Sequence, residues 1–144
     1  MRVQRVHDNG HGAVTFDLLD DAGRPVPAVA GFMRHLRARD CSPNTLSAYA
    51  HDLLHFTHFL HQHDLTYDDF TPVVSLAFLE YLRQVPNRTP ARRLTPVLVT
   101  VTGDQPARRL APATINRIFA AVSSFYELDL LRHQVTFLGR NMSP

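Results

Sequence analysis

The chain has 144 residues, 44% apolar and 19% charged, enough to bury one core without disulfides or metals and not the composition of a disordered chain. A single cysteine, Cys41, excludes an internal disulfide. No apolar run reaches the ~18 residues of a membrane helix and no apolar leader follows Met1, so the expected setting is a reducing cytoplasm with no membrane partner. All fifteen positive charges are arginine, which excludes lysine chemistry within these residues. Their placement is lopsided, with six Arg against ten Asp and Glu in residues 1–80 and nine against three in 81–144.

Residues 1–25 read as a short β element. Val14, Phe16 and Leu18 alternate with Thr15 and Asp17, and Asp20-Asp21-Ala22-Gly23 is a turn signal. One hairpin is marginal alone, so it is expected to lean on the helices that follow. The first helix begins near Pro25-Val26-Pro27 and gathers Val29, Phe32, Met33 and Leu36 on one face. The second starts at Ser42, an N-cap residue, with Pro43 at the first helical position, and runs through Leu46, Tyr49, Leu53, Phe56 and Leu60 to about His61. The third starts at Thr71-Pro72 and ends at Pro86. It is apolar nearly all round, which predicts the deepest burial of the four. The fourth starts at Pro112, with Ile115, Ile118, Phe119, Val122, Phe125 and Tyr126 on one stripe. The domain is thus drawn over 26–131, with a tail over 132–144. An insertion at 86–111 carries four prolines and, in Val97–Thr102, a short strand signal.

Three groups of residues invite a functional reading. Between Arg83 and Arg117 there are seven arginines and one acid, Asp104. Guanidinium forks suit phosphate oxygens, but the same stretch could be a solvated loop. Two helix starts share a layout: Ser42, Asn44, Thr45 and Ser47 in one, Thr114, Asn116 and Arg117 in the other, each beside an opening proline. Such side chains at a helix N-terminus can meet DNA backbone and base edges. Capping accounts for Ser42, and not for Asn44, Ser47, Asn116 or Arg117. Finally His51, His55 and His58 share a face of the second helix. A histidine pair four apart can hold zinc, but no Glu follows the first histidine and no third ligand is evident. A solvated or DNA-facing stripe is the reading adopted, with no metal and no cofactor. Cys41 reads as structural.

Together these motifs resemble the N-terminal core-binding domain of the tyrosine recombinases, or phage integrases. The resemblance is carried by Ser42-Pro43-Asn44-Thr45-Leu46-Ser47-Ala48-Tyr49, then Asp52-Leu53 and Phe56–Leu60. It resumes at Pro112-Ala113-Thr114-Ile115-Asn116-Arg117 and ends with Ser124-Phe125-Tyr126. It covers about residues 26–130. Ala111 departs from the family's polar cap, and the 86–111 segment is longer than the family usually has. The resemblance implies a mainly α fold: a four-helix SAM-like bundle with a short N-terminal β element and a long loop between helices three and four. It implies double-stranded DNA as partner, gripped by helices two and four through Ser42, Asn44, Thr45, Ser47, His51, Thr114, Asn116 and Arg117. Arg108 and Arg109 would lie on phosphates. A catalytic recombinase domain or other recombinase protomers would be further partners.

The family's cleavage chemistry needs two arginines, a lysine, a His-x-x-Arg element and a nucleophilic tyrosine. No lysine and no His-x-x-Arg occur here, so the expected role is binding without catalysis. The alternative from a different class is a helical protein-interaction module whose arginine loop is merely solvated.

Overall fold

The computed structural model describes residues 1–10, 12–87 and 109–141, with side chains as far as Leu131. In chain order these form β1 (Arg2–His7), β2 (Val14–Leu19), α1 (Pro27–Ala38), α2 (Pro43–Gln62), a single 3₁₀ turn at Tyr67–Asp69, α3 (Pro72–Gln84) and α4 (Pro112–Asn141). The fold is the expected one: four helices preceded by a two-stranded hairpin.

β1 and β2 pair antiparallel, with Val3 opposite Leu18 and Arg5 opposite Phe16. The hairpin is covered on one side by α1 and α2. Leu18 and Leu19 are buried there, and the Val26 N–H donates to the Leu18 carbonyl at 2.9 Å, tying the hairpin to the start of α1. A two-stranded ribbon gains its stability from that apolar backing.

Local chemistry sets the helix ends. Ser42 Oγ accepts from the Thr45 N–H and Thr71 Oγ1 from the Val74 N–H, each with proline at the next position. α1 and α2 both stop at an aspartate in the left-handed region, Asp40 (φ 57°) and Asp64 (φ 55°). Beyond each, an N–H reaches back to the last turn, Cys41 to Leu36 O at 3.2 Å and Leu65 to Leu60 O at 2.9 Å. This is the wrapped helix ending usually given to glycine or asparagine; a short polar side chain tolerates that conformation too.

α2 is the hub. Leu46, Ala50, Leu53, Phe56, Phe59 and Leu60 are buried between α1 (Val29, Phe32, Met33, Leu36) and α4 (Ile115, Ile118, Val122, Phe125). Around Phe56 an aromatic cluster closes the bundle, with Tyr67, Phe70, Phe78 and Tyr126 at ring-centroid distances of 6.2, 5.0, 5.5 and 6.0 Å. The Tyr126 hydroxyl donates to the Tyr67 carbonyl at 2.6 Å, fixing the 3₁₀ turn to α4. That hydroxyl's ionisation is pushed upward, chiefly by burial.

Two features depart from the sequence expectations. α3 is not the most buried helix. Only Phe78 and Leu82 are fully inside, while Val73 and Leu76 are 77% and 65% exposed. It lies at the bundle's edge, where one side of a largely apolar helix is left exposed among the described residues. α4 also continues to Asn141, past the end of its apolar stripe. Between Arg132 and Asn141 there is no proline and only Gly139 as a weak breaker, so nothing local stops the backbone ladder. The strand signal at Val97–Thr102 lies outside the described residues. Among the described residues no helix is long and apolar enough to cross a membrane.

Candidate nucleic-acid interface

α2 and α4 pack against each other, so the polar edges of the two helices border one surface. Between them, and the residues following α3, lies an open groove of about 890 Å³. His51, His55 and His58 line it from α2, Thr114 and Arg117 from α4, and Tyr81 from α3.

The centre of this surface is an ion pair. Asp52 of α2 is buried, 2% exposed. Its carboxylate accepts from Arg117 Nε at 3.1 and 3.3 Å and from Nη2 at 3.0 Å. A buried carboxylate is costly unless paired and hydrogen-bonded, and the bidentate guanidinium meets both needs. The arginine side chain itself stays 57% exposed at the groove. The pair therefore joins α2 to α4 while leaving part of the guanidinium open to solvent.

The histidines behave differently from one another. His51 Nδ1 lies 2.8 Å from the Ser47 carbonyl. A carbonyl only accepts, so in this contact Nδ1–H is the donor. His55 is held below the ordinary imidazole value, first by burial, with His58, His51 and Arg117 adding to the effect and Asp52 opposing it. His58 is lowered too, by burial and then by the N-terminal ammonium, against the pull of Asp21. Burial thus favours the neutral imidazole at both His55 and His58. Among the described residues no three ligating side chains are placed to hold a metal.

The sequence-selected residues divide between this groove and its surroundings. His51, Thr114 and Arg117 are brought together in it. Asn44 at the start of α2 and Asn116 near the start of α4 are exposed outside its lining. Ser42 and Thr45 are exposed, but their oxygens are 3.0 Å apart and Ser42 Oγ also accepts from the Thr45 N–H at 3.2 Å, so both serve the helix cap. Ser47 is half-buried and engaged through its carbonyl with His51. Arg109 is exposed, and its backbone pairs with Pro86 in an antiparallel bridge at the edge of the groove. Arg108 lies outside the described residues.

The structure adds Asp52 to this surface, and seats His55 and His58 of the histidine stripe in the groove beside His51. The signal for Asp52 was an acid inside an apolar helical stripe, a position that demands a partner. Its partner lies 65 residues away in the chain, so spacing alone cannot reveal it.

Residues 29–99 match the family described as phage integrase, N-terminal SAM-like domain. The chain is 36% identical over 105 residues to tyrosine recombinase XerC of Roseiflexus castenholzii, an alignment covering 68% of this chain and 24% of that protein. The chain therefore corresponds to about a quarter of that relative's length. No solved structure matches it. The helical bundle, the Ser42 helix start and these matches agree: over residues 29–99 the chain carries the N-terminal SAM-like domain of the phage integrase family, that of the tyrosine recombinases.

Proposed function

We propose that this chain is a DNA-binding, core-binding domain of a site-specific tyrosine recombinase, gripping duplex DNA with the joined edges of α2 and α4. The observation that carries the reading is the α2–α4 groove, in which an exposed guanidinium fork, a threonine and a histidine converge on one open surface. Arg109 supplies phosphate contacts beside it, Arg108 is read as a second phosphate contact from its sequence position alone, and Asn44, Ser47 and Asn116 extend the contact at the helix starts. Strand cleavage belongs to other residues, because the family's lysine and His-x-x-Arg element are not in this sequence. The wider partners are a catalytic recombinase domain or other recombinase protomers, acting in the cytoplasm.

The test is fluorescence anisotropy with a mixed-sequence duplex across a salt series. Phosphate-driven binding weakens with a log–log slope of about −0.9 per neutralised phosphate. Arg108→Ala with Arg109→Ala should weaken binding to all sequences alike and flatten that slope by up to about two units. No binding at low salt refutes the reading.

A second reading has its own observation. Val73 and Leu76 on α3, and Leu130 and Leu131 on α4, are large apolar side chains left more than half exposed. They fit a helical protein-interaction module, which would show no salt-dependent affinity for DNA.

A further inference from the structure

The Asp52–Arg117 pair does more than join two helices. A guanidinium has two edges able to form paired hydrogen bonds: the side edge of Nε and Nη2, and the end edge of Nη1 and Nη2. Asp52 occupies the side edge, with Nε at 3.1 Å from one carboxylate oxygen and Nη2 at 3.0 Å from the other. The end edge is left unoccupied by Asp52, on a side chain that is 57% exposed and lines the open groove. The carboxylate cannot swing away, because it is buried in α2 with its side chain only 3% exposed.

We infer that Asp52 is a positioning residue that fixes Arg117 so its end edge reads one guanine in the major groove; this rests on the DNA-binding reading above. Two features favour a base over a phosphate. An anionic phosphate gains most from a free positive charge, and Asp52 neutralises much of that charge at close range. Guanine presents two neutral acceptors, O6 and N7, spaced for a guanidinium fork, and needs direction more than charge. An arginine with an anchored side edge loses less conformational freedom on meeting the base than one free in solvent.

The experiment is selection of the full chain against a randomised duplex pool, with sequencing of the bound fraction, for the parent, Asp52→Asn, Arg117→Lys and Arg117→Ala. The parent should enrich a motif containing a guanine that Arg117→Ala no longer selects. Asp52→Asn should lose preference at that same base pair by roughly 5- to 150-fold while the other positions persist. Arg117→Lys keeps the charge but has a single ammonium in place of two opposed edges, so it cannot hold Asp52 and meet both guanine acceptors at once, and should show the same local loss. This variant keeps the test decisive should Asp52→Asn fold poorly. Three outcomes overturn the inference: a parent motif with no guanine sensitive to Arg117, an Asp52→Asn motif identical to the parent's, or an Arg117→Lys motif that retains the guanine. If the parent binds no duplex at all, the DNA-binding reading itself fails, and that result is distinct from the other three.

Discussion

The Asp52–Arg117 pair makes an asymmetric prediction about stability. Arg117→Ala leaves a carboxylate that is 3% exposed with neither counter-charge nor its three hydrogen bonds. Orphaning one member of a fully buried pair costs about 3–5 kcal/mol. Here the arginine end is open to solvent, so water can reach the vacated site and the cost falls to about 3 kcal/mol. Asp52→Ala instead frees a guanidinium that is 57% exposed and can rehydrate. It loses charged hydrogen bonds and a little packing, about 1–2 kcal/mol. Because the chief penalty of the first variant is the orphaned charge, adding Asp52→Ala to Arg117→Ala should partly restore stability. Urea titration of the parent, both single variants and the double variant reads this directly. Near the midpoint roughly 4 °C of melting temperature corresponds to each kcal/mol in a chain of this size. If Asp52→Ala is the more damaging change, or the two losses simply add, the carboxylate is not the buried, dependent partner described.

Acidification should destabilise the fold through His55. Burial holds it below its ordinary 6.5, so as pH falls below that value the unfolded chain takes up a proton that the native state does not, and the loss levels off below the depressed native value. Urea midpoints between about pH 7.5 and 5.5 should drop, and His55→Gln should shrink the drop; an unchanged pH dependence refutes the assignment. Tyr126→Phe removes the 2.6 Å hydrogen bond to the Tyr67 carbonyl and should cost about 1–2 kcal/mol by denaturant titration. Ser42→Ala removes the α2 cap and should cost about 1 kcal/mol by denaturant titration; an unchanged midpoint would show that the cap bond contributes nothing.

The sequence was most informative where local chemistry decides the structure. Ser42-Pro43 and Thr71-Pro72 mark helix starts because a side-chain oxygen before proline satisfies an orphan N–H, and both caps are made. The stripes of α2 and α4 find the core because helical periodicity and burial are one pattern. Legibility fails where the answer depends on neighbours. The composition of α3 says apolar, but not that Val73 and Leu76 face outward at the bundle's edge. At the candidate site, Thr114 and Arg117 are legible in a helix-start motif and His51 in the histidine stripe of α2. Asp52 is not, because its role comes from a contact across 65 residues that only the α2–α4 packing creates.

In the proposed function, DNA meets the joined edges of α2 and α4. Amide shift mapping by heteronuclear NMR, titrating duplex DNA into the labelled chain at low salt, tests it most directly. Perturbed amides should cluster at Asn44–His58 of α2 and Thr114–Arg117 of α4 and fade as salt is raised, while Val73–Ala77 on the outer face of α3 stay in place. Perturbations centred on that outer face, or none at any DNA concentration, would contradict it.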